Sequence, residues 1–183
     1  MIFSNPQLET ILSTDITVRF IRESDLAAFK ALRLEALRDH PEAFGSDHDE
    51  SSREPDLMWV DRVKNAIGSP DGCIVVAEAG GQLAGMAGVF RNNRVKVRHS
   101  GTIWGVYVRP QFRGSKLTER MISEALGWCR ANQIRIARLT VVTCNGPAIR
   151  TYLRCGFTIY GVSPEEIRIG DVYHDEMLMW RRV

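Results

Sequence analysis

A chain of 183 residues is of single-domain size and can bury a substantial core. Its hydrophobic share of 44% and charged share of 25% are ordinary for a globular protein. A net charge of +2 argues against nucleic acid or an anionic membrane as the main partner, since either calls for a less balanced surface.

Residues 1 to 14 are predicted to be an extension or a short helix outside the main architecture. Thr17 to Ile21 alternates as a strand does, and Ser24 can then N-cap a helix to about Arg38, with Leu26, Phe29, Leu32, Ala36 and Leu37 on one side. The proline and glycine stretch from His40 to Ser46 leads into an acidic run, Asp47 to Glu50. Asp56 to Asn65 reads as a second helix with Leu57, Val60 and Val63 inward, closed by Gly68 to Gly72. Cys73 to Glu78 and Leu83 to Phe90 form strands joined at Ala79-Gly-Gly-Gln82, where glycine tolerates positive φ. Gly85 and Gly88 would weaken a strand unless another segment approaches closely there. The basic run Arg91 to Arg98 reads as a solvated loop or hairpin rather than a nucleic-acid site.

Thr102 to Val108 is β-branched and aromatic, and Pro110 ends it for lack of an N–H. From Leu117, the residues Met121, Ile122, Ala125, Trp128 and Cys129 recur at helical spacing, which puts Ser115 or Lys116 near a first helical turn. The free N–H groups of such a turn, the helix dipole, and the cations Arg113 and Lys116 suit a phosphate or pyrophosphate. The alternative is an ordinary strand–turn–helix with both cations in solvent. Arg138 to Thr143 is the next strand. Asn145 then caps a helix, Pro147 fits its first turn and Gly156 ends it. Phe157 to Tyr160 returns as a strand, and Ile167 to Trp180 suggests a closing hairpin about Gly170-Asp171.

The four cysteines, Cys73, Cys129, Cys144 and Cys155, form no Cys-x-x-Cys pair, so reduced, buried thiols are expected. The histidines lack metal-ligand spacing, and no metal site is expected. Without a basic and apolar leader or a run of about 18 apolar residues, the protein is expected to be cytoplasmic and not membrane-bound.

Gln111-Phe-Arg-Gly114 after Val-x-Arg-Pro resembles the acetyl-CoA pyrophosphate loop of the GNAT (Gcn5-related N-acetyltransferase) superfamily. Asn145-Gly-Pro-Ala148, with Tyr152 and Gly156-Phe157, resembles that family's later block about thirty residues on. The resemblance spans roughly residues 17 to 181 and implies one α/β domain over 17–183, its mixed, mainly antiparallel sheet flanked by helices. It departs at Lys116, where the family usually has Gly or Ala, and at Thr118, often a second small residue. Lys116 either obstructs a phosphate or turns outward and adds charge.

The resemblance further implies acetyl-CoA as cosubstrate. Its pantetheine arm would pair with main chain near Val106 and Val108, and its pyrophosphate would lie on Arg113, Gly114, Ser115, Lys116, Leu117 and Thr118. Asn145 is either a cofactor contact or only a helix cap. Tyr152 matches the family's general acid, since a phenol of pKa about 10 stays protonated at neutral pH and can protonate a thiolate; it also suits the core beside Ala148 and Ile149. The loop from His40 to Phe44 would wall the acceptor pocket, unless Phe44 only covers the core. A lysine-like amine with pKa about 10.4 is neutral in about one molecule in 2,500 at pH 7, so a base or water relay is needed. The strand Ile103 to Val108 carries no acid; His99, Glu78, Asp171, Asp175 and Glu176 are the alternatives, with Tyr173 and Asp175 on the hairpin where acceptors are often contacted. The implied function is acetyl transfer to a primary amine of a small molecule or peptide. Acetylation of protein N-termini or lysines, or a non-catalytic acyl-CoA-binding module, are the rival readings, and a homodimer is compatible with the family.

Overall fold

Side chains on neighbouring positions of a strand point to opposite faces, and the two halves of the core follow from that alternation. The computed structural model describes residues 15–183, and the expected N-terminal extension, residues 1 to 14, lies outside them. Seven strands, β1 (Ile16–Phe20), β2 (Gly72–Ala79), β3 (Gln82–Arg91), β4 (Ser100–Val108), β5 (Ile136–Val142), β6 (Thr158–Ile169) and β7 (Val172–Arg182), form one sheet in the order β1-β2-β3-β4-β5-β7-β6. Only β4 and β5 run parallel. The helices are α1 (Leu26–Asp39), α2 (His48–Ser52), α3 (Asp56–Lys64), α4 (Leu117–Ala131) and α5 (Gly146–Arg154).

On β2, Cys73, Val75 and Ala77 join the half of the core that α4 fills with Leu117, Met121, Ile122 and Ala125. Ile74 and Val76 join the other half, with Phe29, Leu32 and Ala36 of α1 and Trp59 and Val63 of α3. This layered mixed α/β architecture is the one expected.

Several local expectations are corrected. Ser24 is not a cap: it lies inside a 3-10 turn, Glu23–Asp25, and the Asp25 carboxylate accepts the Arg22 N–H at 2.8 Å. The acidic run forms α2, because Asp47 accepts the N–H of Glu50 and so caps a turn. On α3 the inward residues are Trp59 and Val63, while Leu57 is exposed, as an amphipathic helix that buries its largest ring would require. Cys144 is exposed in the turn after β5, not buried, whereas Cys73 and Cys129 are in the core.

β4 pairs with β5 only at Ser100–Ile136, Gly101–Ala137 and Thr102–Arg138. Beyond Thr102 the two strands part, and β5 continues against β7 as far as Val142–Glu176. On its other side β4 carries an extra residue against β3, Tyr107 facing Met86 and Trp104 facing Gly88. Gly105 is in this bulge at φ +63°, a conformation that only glycine adopts without strain. Gly88 has no side chain because Trp104 needs the space: a Cβ there would fall 2.2 Å from the indole. The gap between β4 and β5 is where the two expected motif blocks converge.

Candidate functional site

The turn before α4 is built from main chain. Gly114 stands at φ +81° and Lys116 at φ +59°, and Lys116 is the N-cap residue of the helix. Among the described residues, the N–H groups of 114 to 118 take no backbone or side-chain acceptor. Five donors at the positive end of a fifteen-residue helix, with Gly114 leaving open space, fit a diphosphate. The φ of Lys116 gives a physical reason for a small residue at this position, and lysine holds the same conformation here.

A cavity of about 640 Å³ runs along this turn. Val106, Val108, Arg113, Gly114, Lys116, Leu117, Thr118, Asn145 and Tyr152 all line it. Ser115 does not; its hydroxyl donates to the Phe112 carbonyl at 2.5 Å. Leu117 is a core residue, so its contribution to the cavity is mainly main chain. The Arg113 side chain turns back along the loop: Nε donates to the Val108 carbonyl at 3.1 Å, and Nη2 lies 2.9 Å from His40 Nε2. His40 in turn lies against Tyr107, the two rings tilted at 53° with centroids 6.0 Å apart. The Tyr107 hydroxyl donates to Glu35, which also accepts from Arg109 at 2.8 to 3.1 Å. Burial, and then the Glu35 carboxylate, push the Tyr107 phenol up to about 12. Through this network α1 and its following loop are fastened to β4 and to the basic turn.

A second cavity, of about 490 Å³, opens between α1, α3, β4, β5 and β7. It shares Phe44, Val106, Val142, Asn145, Ala148 and Tyr152 with the first, so the two meet across the splayed strands. Tyr152 is buried, its ring edge-on to Phe157 at 6.2 Å, and burial raises its phenol well above the ordinary range. Its hydroxyl has no hydrogen-bond partner among the described residues. Asn145 is the cap of α5, its side-chain oxygen accepting the Ala148 N–H at 3.2 Å. It nonetheless lines both cavities, so the cap and contact roles are compatible.

Of the candidate bases, only Glu176 lines a cavity. It is buried; burial raises its carboxyl pKa, a hydrogen bond with Thr140 opposes the rise, and Glu166 adds to it. Glu78 is paired with Arg19 at 2.6 Å, Asp175 accepts the Glu165 N–H, and His99, Asp171 and Tyr173 are exposed. Phe44 serves both readings: it packs on the α1 side of the core and walls both cavities.

Sequence reasoning missed Arg33 and Trp104 in the second cavity. A signal for Arg33 was present, a cation at position i+4 from Phe29 inside an otherwise apolar helical stripe. Among the described residues there is no cluster of three metal-ligating side chains, and no helix is long and apolar enough to cross a membrane.

Comparison with known proteins gives a consistent picture. A model described as the acetyltransferase (GNAT) family matches residues 29–157. A mycothiol acetyltransferase of Streptomyces bingchenggensis is 32% identical over 158 residues, 83% of this chain and 46% of that protein. The chain thus spans about half the length of that relative. A provisionally named ribosomal-protein alanine N-acetyltransferase of Bacillus subtilis is 27% identical over 157 residues, 84% of this chain and 94% of that one. Among solved structures, an acetyltransferase of the GNAT family from Streptococcus pneumoniae superposes with a TM-score of 0.83 at 23% identity, covering 92% of this chain and 99% of its own.

Proposed function

We propose, for a chain that belongs to the GNAT acetyltransferase family, that it is an acetyl-CoA-dependent N-acetyltransferase acting by direct transfer on a primary amine of a small molecule or peptide. The observation that carries the reading is the meeting of two cavities at Tyr152 and Val106, one beginning at free N–H donors on a helix and the other holding a buried carboxylate. Acetyl-CoA, the cosubstrate of the family, supplies the activated acyl group. The main chain of residues 114 to 118 holds the diphosphate, and Arg113 and Lys116 add positive charge beside it. The unpaired edge of β4 from Ile103 to Val108 orients the pantetheine arm as a neighbouring strand would. A main-chain N–H beside the bulge at Gly105 stabilises the oxyanion that develops on the thioester carbonyl.

Glu176 accepts the proton of the incoming ammonium. Once neutral, the amine attacks the carbonyl carbon; as the carbon–sulfur bond breaks, Tyr152 donates its proton to the departing sulfur, and the second proton of the attacking nitrogen returns to the Tyr152 phenolate as the amide forms. Residues Ala43 to Ser46 form part of the wall of the second cavity. A cavity of about 490 Å³ walled by that loop has the size for a small acceptor or the end of a peptide. The free thiols of all four cysteines suit a cytoplasmic setting.

The test is a panel of amino acids, aminosugars, polyamines and peptides with free N-terminal alanine, assayed with acetyl-CoA by thiol release, beside calorimetry with coenzyme A. Saturable binding with transfer to at least one amine is expected. Binding without transfer to any amine would leave a regulatory acyl-CoA module in its place. If Arg113→Ala and Tyr152→Phe both left turnover unchanged at limiting and at saturating acetyl-CoA, the assignment of the site would fall.

A further inference from the structure

Arg33 occupies the inward stripe of α1 among Phe29, Leu32, Ala36 and Leu37, and is only 7% exposed. Its guanidinium lies over the Phe44 ring at 4.7 Å and the Trp104 ring at 5.9 Å. Nη2 donates to Ser46 Oγ at 3.3 Å, whereas Nη1 is buried with no acceptor among the described residues. The neighbouring carboxylate, Glu54, is taken by Arg62 at 3.2 Å, and Arg33 itself makes no ion pair among the described residues. Burial holds its pKa down at about 10, with Arg62 adding to the effect and Glu54 opposing it, so the group stays charged at neutral pH. A buried guanidinium without a counter-charge is costly to keep, and Nη1, out of water and unpaired, has most to gain from an oxyanion acceptor.

Arg33, Arg62 and Glu54 all line the second cavity, giving that wall one net positive charge. Nη1 lies beside the bulge, where a Cβ on Gly105 would come 3.6 Å from it, an ordinary contact distance. Glu176 lines the same cavity from β7. The cavity therefore carries a cation from α1 and an acid from β7, and a zwitterion has one favoured orientation in it.

We propose that Arg33 forms an anion subsite of the acceptor pocket, so that the acceptor is an amine that also bears a carboxylate or an oxyanion of similar geometry, such as a phosphonate. The proposal rests on the acetyltransferase reading for its use in catalysis, although the subsite can be tested without it.

Two readouts separate the ideas. In the first, free amino acids and aminophosphonates are compared with their matched carboxamides and neutral esters in the thiol-release assay on the wild-type protein. The anionic member of each productive pair is expected to have a kcat/KM at least tenfold higher, mostly through KM, with Arg33→Gln levelling the pair and Arg33→Lys restoring part of the difference. In the second, the same pairs are titrated calorimetrically into the wild-type protein with and without coenzyme A, and the anionic member is expected to bind at least tenfold more tightly. Equal use or equal binding of acid and amide by the wild-type chain overturns the subsite, as does failure of every anionic amine to bind, whether or not Arg33→Gln folds. Acid-selective binding without thiol release upholds the subsite and sinks the acetyltransferase reading instead.

Discussion

Tyr152 and Glu176 line the same cavity, and burial makes each hold its proton more tightly than it would in water. For a phenol that must arrive protonated, the shift keeps it loaded through any workable pH. Tyr152→Phe should lower kcat by about 10²-fold or more while acetyl-CoA affinity changes little, a contrast read from single-turnover rates and calorimetry. For Glu176, the base in the proposed mechanism, the raised pKa moves the carboxyl toward the range in which a base works best, and that role requires it to be ionised. The rate should therefore fall as pH drops through that raised value, and Glu176→Gln should remove this acid limb along with most of the turnover. Stability should respond in the opposite sense. The folded protein binds this proton more tightly than the unfolded chain, so stability falls as pH rises from the ordinary carboxyl range through the raised pKa. The glutamine variant should lose this dependence and melt no lower than wild type at neutral pH, by calorimetric scanning. A variant that was slow and also less stable would point to a packing role.

At the level of elements, α4 and α5 present their N-termini to the first cavity by different means. α4 begins at Lys116, held at φ +59° without a side-chain cap, while α5 begins with an Asn145 cap and Pro147 in its first turn. Asn145→Ala should cost about 1 kcal/mol of stability in denaturant titration. Lys116→Gly should relieve a left-handed conformation that costs about 1 kcal/mol in non-glycine residues. If its ammonium also contacts the diphosphate, coenzyme A should bind that variant more weakly despite the relaxed backbone. These elements were legible in the sequence because proline, glycine, Asx caps and a 3.6-residue apolar period act within a few residues of one another. The base was less legible. Five acids and imidazoles stood as equals along the chain, and only the pairing of Val142 with Glu176, set by the contact of β5 with β7, carries one of them to a cavity wall. Arg33 went unread for a similar reason: helical spacing marked it as inward, but nothing local reveals that Trp104, 71 positions away, completes its surroundings.

Across the whole molecule, the sheet, the glycine bulge and the network through Glu35, Tyr107, Arg109 and Arg113 bring residues from separate helices and strands to one junction. Coenzyme A at about 100 times its dissociation constant should raise the unfolding free energy by about 2.7 kcal/mol, with a matching rise in Tm, if it binds only the folded chain. Failure to shift the transition would remove the first cavity from the account. The parting of β4 from β5 has a mechanical corollary. On the β5 side, the three rungs near Thr102 are the nearest point at which the two strands are tied, and Val106 stands about 13 Å beyond them, at about 3.3 Å per residue. A change of about 5° in the angle between β4 and β5 there shifts the two strands by about 1 Å at Val106, an error of the size that can cost about 10²-fold in rate. Of residues 100 to 102 and 136 to 138, Thr102 alone lines a cavity, yet as the fulcrum they would hold the tolerance of the proposed reaction.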